Sequence, residues 1–159
     1  MILIAYDGSA DAQAAIHRAG QLFPDKPAAV LTVWEPFEDV VARSGSVAAL
    51  ATVDYEEVDR ESEQQARQRA EEGVQRAQDA GLVAQPRVRA RNGSVAQAIL
   101  AEADDIDAEA IVLGTRGLTG VKSLLLGSVS HAVVQHANRP VIVIPSAEVA
   151  AKRVAQRGW

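Results

Sequence analysis

The densest run of chemistry-bearing residues is 113–130, which reads Leu-Gly-Thr-Arg-Gly-Leu-Thr-Gly-Val-Lys-Ser-Leu-Leu-Leu-Gly-Ser-Val-Ser. Gly114, Gly117 and Gly120 fall three apart, and Gly127-Ser128 stands where a helix pattern begins. Glycine lets main-chain amides come close to a ligand. Successive amides of that kind form a nest for an anion, and a helix start adds unpaired N–H groups and the positive end of the dipole. Ser128 and Ser130 bring hydroxyls to the same place, and Arg116 and Lys122 bring positive charge. These parts describe a phosphate cradle. They also describe a glycine-rich turn followed by an ordinary helix cap, and glycine content alone does not separate the two.

The run is not a Walker loop, because Gly120-Val121-Lys122-Ser123 breaks the Gly-Lys-Ser/Thr order needed just before the helix. Nor does Tyr6-Asp7-Gly8-Ser9-Ala10-Asp11-Ala12 supply a dinucleotide fingerprint after the first apolar run. Asp7 is the second candidate. A carboxylate at the end of a strand and just before a helix can cap that helix or accept hydrogen bonds from a ligand, and its position fits both roles.

Other chemistries find little support. His131 and His136 are five apart, whereas two ligands on one helix face want a spacing of about four; with His17 they read as surface or packing residues. Asp104, Asp105 and Asp107 read as a solvated turn at the end of the sheet away from the cradle. No Gly-x-Ser-x-Gly nucleophile elbow occurs. The chain has no cysteine, which excludes thiol nucleophiles, disulfides and cysteine-held metals.

The elements that must position the cradle follow from hydropathy. Residues 1–6, 28–34, 110–113 and 141–144 are short continuous apolar runs, and 82–90 is a weaker run containing Pro86. Such runs fit strands buried on both faces of a parallel sheet. Between them lie helical patterns at 9–22, opening at Ser9 with Ala12, Ala15, Ile16, Ala19 and Leu22 on one face; at 56–80, with a narrow small-residue stripe ended by Gly81; at 94–104, opening at Ser94; and at 128–137. Alternation of this kind predicts an α/β fold, a single doubly wound parallel sheet with helices on both faces. Ligands bind such sheets beyond the carboxyl ends of the strands, so the loops after residues 6, 34 and 113 are where function is expected. Residues 35–55 form a long connection that is either a tolerated surface insertion, a flap, or the seat of a helical turn near Val47–Leu50. Residues 147–159 form a short amphipathic helix or a frayed tail. Trp34 either packs on a ligand or closes the edge of the core.

The 159 residues suit one compact domain. Sixteen Lys and Arg against 21 Asp and Glu give a net charge of −5, which argues against a nucleic-acid binder. No apolar run reaches the roughly 18 residues a membrane span needs. The first residues, MILIAYDGS, lack the positive charge and cleavage site of a secretory signal, so a cytoplasmic protein is expected.

Ile2-Leu3-Ile4-Ala5-Tyr6-Asp7-Gly8-Ser9 resembles the first strand and turn of the universal stress protein family. Gly114-x2-Gly117-x9-Gly127-Ser128, followed by Asn138-Arg139-Pro140-Val141-Ile142-Val143-Ile144-Pro145, resembles that family's nucleotide motif and last strand. The likeness covers residues 1–146, leaving 147–159 as a tail, and its glycine spacing is that of the ATP-binding branch. It implies a Rossmann-like, open five-stranded sheet in the order 3-2-1-4-5. It also implies bound ATP, with or without Mg2+, while any further metal site is left unknown. Carried over by position, Asp7 would hold the adenosine end, Ala5 would line its pocket, and Val33 would offer backbone groups to the ring. Leu113 and Gly114 would sit beside the ribose; Gly117, Gly127, Ser128, Val129 and Ser130 would take the phosphates. Arg116 lies outside the glycine pattern and is added on electrostatic grounds alone.

Three or four contacts to charged phosphate oxygens, each worth roughly 1.5–3 kcal/mol, less the cost of association, give micromolar binding. No residue presents itself as a base for activating water, so efficient catalysis is not expected. The resemblance further implies a homodimer through the strand Val141–Ile144, whose apolar edge must be covered or paired; a monomer with the tail folded over that edge is the alternative. The function expected is a nucleotide-dependent regulatory module with an unidentified protein partner. The alternatives are a dimeric module that binds no nucleotide and an adenylyl-transfer enzyme on the same fold.

Overall fold

Strands that are apolar without alternation must be covered on both sides, and the computed structural model, which describes residues 1–44, 54–115, 117 and 126–156, shows how. The strands are β1 (Ile2–Ala5), β2 (Pro27–Trp34), β3 (Val83–Ala90), β4 (Ala110–Gly114) and β5 (Val141–Ile144). They form one sheet in the order β3-β2-β1-β4-β5, with every neighbouring pair parallel. The central strand β1 pairs Ile2 with Ala28 on one side and with Ala110 on the other.

Side chains leave successive residues on opposite faces. Ile2, Ile4 and Tyr6 therefore join Val30 and Val112 in one core, covered by α1 (Ala10–Leu22) and α3 (Tyr55–Asp79). Leu3 joins Leu31, Ile111 and Leu113 in the other, covered by α4 (Val95–Asp105) and α5 (Ser128–His136). β3 is an edge strand, which is where Pro86 is tolerated.

The helix starts follow the sequence signals. Ser9 Oγ accepts from the Ala12 N–H at 3.2 Å. Ser94 and Gln97 form a reciprocal capping box, and Asp54 accepts from the Glu56 and Glu57 N–H groups. α3 is strongly polar, and its buried stripe is Ala66, Ala70, Gly73 and Ala77. These residues let the helix lie close to the sheet: a Cβ on Gly73 would stand 2.7 Å from Val30 Cγ1 and 2.8 Å from Tyr6 Cδ1. Gly81, at φ +87°, ends the segment in the left-handed region that glycine favours.

Three expectations change, and one open pair of alternatives, for the tail, resolves. The 35–55 connection holds a helix, α2 (Phe37–Ser44), ahead of the stretch where a turn was expected; Val47–Leu50 lie outside the described residues. The tail is helical at Ala147–Gln156 (α6), with Val149 buried. Leu22, expected on the buried face of α1, is the last residue of that helix and is exposed. The acidic turn is ion-paired and not merely solvated: Asp105 meets Arg89 at 2.6 Å, and Asp104 binds Arg139.

Candidate functional site

All five strands run the same way, so their carboxyl ends, and the loops that follow them, share one rim. On that rim the loops after β1 and β4 meet. Asp7 Oδ1 accepts from the Ser9 N–H at 3.0 Å, a turn that leads the chain into α1. Gly8 between them has φ +85°. Gly117 lies against the same carboxylate: a Cβ there would be 2.6 Å from Asp7 Oδ2. Two candidates far apart in sequence are thus in contact, and a side chain at 117 would have to push the Asp7 carboxylate aside.

Gly114 answers to packing. A Cβ on it would fall 2.7 Å from the Asp11 carbonyl carbon and 2.9 Å from the Ala12 nitrogen, so it is the seat of the first turn of α1. The next residue, Thr115, is buried and ties three elements together. Its hydroxyl donates to the Asp11 carboxylate, its N–H donates to Ile144 O at 3.0 Å, and its carbonyl accepts from the Gly127 N–H at 2.8 Å. Ser130 is also buried, and its hydroxyl donates to that carbonyl at 2.9 Å and to Gly127 O at 3.0 Å. The Ser130 side chain therefore holds the start of α5 in place.

Gly127 is the N-cap of α5, at φ −63° and ψ 156°, a conformation open to any residue. Its glycine matters because it offers no side chain. Among the described residues none caps α5, whereas α1, α3 and α4 are capped by Ser9, Asp54 and Ser94. Among the described residues the first-turn amides of α5 have no side-chain acceptor, and they lie beside an exposed Ser128 and a half-buried Val129. Ala5, Val33 and Val129 pack against the core that contains Leu113, so four candidates share one apolar surface on the α4/α5 side of the sheet. Trp34 is half-buried at the end of β2, where its carbonyl accepts from the Arg91 N–H at 2.7 Å. Arg116, Gly120 and Lys122 lie outside the described residues.

On the other face, Tyr6 fixes the end of β1. Its N–H donates to Leu31 O, its carbonyl accepts from Thr32 Oγ1, and its hydroxyl donates to Glu72 at 2.9 Å. Burial and the Glu72 carboxylate push the phenol above its ordinary pKa. The Tyr6 hydroxyl and Arg76 in turn hold Glu72 below the usual carboxylate range. Sequence reasoning passed over Thr115, Asp11, Tyr6 and Glu72; a buried-position threonine directly after Gly114 was the available signal for the first of them.

Comparison with known proteins places these loops in context. A family model described as "Universal stress protein family" matches residues 1–145. A universal stress protein of Thermus aquaticus is 36% identical over 145 residues, covering 90% of this chain and 96% of that protein. The solved structure of MJ0577, a universal stress protein of Methanocaldococcus jannaschii, matches with TM-score 0.72 at 23% identity, covering 91% of this chain and 94% of its own. A universal stress protein from Archaeoglobus fulgidus, solved in complex with dAMP, matches with TM-score 0.61 at 22% identity over 90% of this chain and 95% of that one.

Proposed function

The chain belongs to the universal stress protein family, and from that premise we propose that it is a regulatory module that binds an adenine nucleotide, ATP foremost, at the carboxyl rim of β1 and β4. One observation carries the reading: α5 starts at a glycine with no side-chain cap among the described residues, next to a loop in which Gly117 presses on Asp7. Uncapped amides at a helix start suit a phosphate. The dAMP found in the Archaeoglobus relative supports the same ligand class.

In this reading Gly117 and the amides of Ser128, Val129 and Ser130 take the phosphates, with Gly127 keeping them accessible. Gly114 and Leu113 flank the ribose, and Asp7 holds the adenosine end. Ala5 and Val33 line the apolar wall for the ring, and Arg116 adds charge. Mg2+ would enter on the triphosphate. Among the described residues no three His, Asp or Glu side chains gather to hold a metal ion. Turnover is slow or absent, since the sequence offers no evident base for activating water. β5 is an edge strand with all four residues half-buried, and it pairs with its copy across a two-fold axis. Ile142→Lys should give a monomer by light scattering; an unchanged dimer would place the interface elsewhere.

The test is a calorimetric titration of the purified protein with ATP, beside a Gly117→Val/Gly127→Val variant. The expected result is micromolar binding, about −8 kcal/mol, that the variant loses. Equal binding by both proteins would refute the site, and no binding by the wild type would refute the nucleotide reading.

A further inference from the structure

The arginines of α3 fall into two groups. Arg60 donates to Glu56 O, Arg67 pairs with Glu63 at 2.9 Å, and Arg76 pairs with Glu72 at 3.0 Å. All three bonds span one helical turn of the same helix. Arg69 is different. It is half-buried, and among the described residues it makes no hydrogen bond or ion pair. Glu72, three residues on, is hydrogen-bonded to the Tyr6 hydroxyl and Arg76 and feels the Arg69 charge without bonding to it.

Its place follows from the packing of α3. Gly73 lies on Tyr6, at the end of β1. One turn back along the helix, about 5.4 Å, Arg69 reaches the loop beyond. Its Nε is 3.7 Å, and its Cδ 3.8 Å, from where a Cβ on Gly8 would stand. Gly8 adjoins Asp7, and Asp7 touches Gly117. The cation therefore enters the rim from the α1/α3 face of the sheet, while the bare amides of α5 enter it from the α4/α5 face. A polyanion approaching a chain of net charge −5, beside the carboxylate of Asp7, needs positive charge in the wall. A guanidinium with no hydrogen bond or ion pair among the described residues, only the nearby charge of Glu72, supplies it, with donors matched to phosphate oxygens.

We infer that Arg69 is a ligand-contacting residue that reads the phosphate chain and so sets a preference for nucleotides with more phosphates. The inference rests on the nucleotide-binding reading above and specifies which member of that ligand class the site prefers. Arg69 is set on the wall by Gly73, which brings α3 close enough for the side chain to lie beside Gly8.

The test is a set of calorimetric titrations of the full chain with ATP, ADP, AMP and adenosine, using wild type, Arg69→Gln and Arg69→Lys, with thermal unfolding confirming that all three fold alike. Arg69→Gln is expected to weaken ATP about tenfold, as the loss of one charge-assisted contact would. It should weaken AMP less and leave adenosine unchanged, while Arg69→Lys recovers part of the ATP affinity. If Arg69→Gln binds ATP like wild type, Arg69 does not touch the ligand, and the nucleotide reading survives. If adenosine and ATP weaken equally, the side chain shapes the loop and does not read charge, and the inference fails. If the wild type binds none of the four, both readings fall together.

Discussion

At the amino ends of β1 and β4, Glu109 accepts from the Met1 amine at 2.8 Å and from Lys26 at 2.7 Å. Nearby, Arg139 donates to the carbonyls of Ala103 and Ala108 at 2.7 Å each and binds Asp104. At the carboxyl ends of the same two strands stand Gly8, Gly114 and Gly117, α5 starts without a side-chain cap among the described residues, and Arg69 stands beside Gly8 with no hydrogen bond or ion pair among the described residues. The strands are continuous between these ends, and the buried cores on both faces run the length of the sheet. The difference lies in how polar groups are satisfied. At the amino ends of β1 and β4 charges close carbonyls and carboxylates of the chain itself, and at their carboxyl ends, among the described residues, the first-turn amides of α5 have no side-chain acceptor. Substitutions at the first rim should therefore change stability and leave binding alone, and substitutions at the second should do the reverse.

The largest effect is expected at the closed rim. Arg139→Ala strips the Ala103 and Ala108 carbonyls of their donor and should cost about 3 kcal/mol in chemical denaturation, with ATP affinity unchanged. A loss of affinity would show that the two ends are coupled. Next comes Gly117→Val, whose Cβ would meet Asp7 Oδ2 at 2.6 Å. It should weaken ATP by about a hundredfold, with little change in the thermal midpoint. Gly127→Ser is a finer probe, because it lets α5 cap itself. Stability should rise by a few tenths of a kcal/mol while ATP weakens about tenfold, so the two readouts move in opposite directions. A gain or no change in affinity would mean that the amides of α5 are not the phosphate site.

The smallest effect concerns pH. Glu109 is held at about 2, below its ordinary 4.5, by Lys26 and the Met1 amine. A carboxylate depressed by folding adds stability above its unfolded pKa and loses it as pH falls through the folded one. The Glu109 contribution is therefore present above pH 4.5 and disappears toward about pH 2. Glu109→Gln should make the acid limb of the stability curve shallower in that window, by a small amount because the pair is exposed to solvent. A steeper limb would contradict the assignment.

Much of this architecture is legible in the sequence because it is local. Ser9 and Ser94 announce their helices, and the unbroken apolar runs announce strands covered on both sides. Gly117 and Gly127 stand out by spacing. Gly114 stands out equally, yet its contact with the backbone of Asp11 gives it a packing role that spacing cannot distinguish from a ligand role. The Thr115–Asp11 bond joins residues separated by most of the chain, so it appears only once β4 lies beside β1. Arg69 is hidden for a similar reason: its neighbours in sequence make it one more charge on a polar helix, and only the seating of Gly73 on Tyr6 carries it to Gly8. α2 was missed because eight residues hold too little periodicity, although Pro36 followed by Glu38 and Asp39, with Arg43 at the end, is a helix signature in miniature.

The most direct measurement is an amide-resolved NMR titration of the isotopically labelled protein with ATP. Saturable shifts with a micromolar midpoint should appear at the N–H groups of Gly117, Ser128, Val129 and Ser130, while those of Glu109 and Arg139 stay in place. Resonances of α5 that do not move while others do, or the absence of any shift at millimolar ATP, would contradict the claim that this rim keeps its donors for a nucleotide.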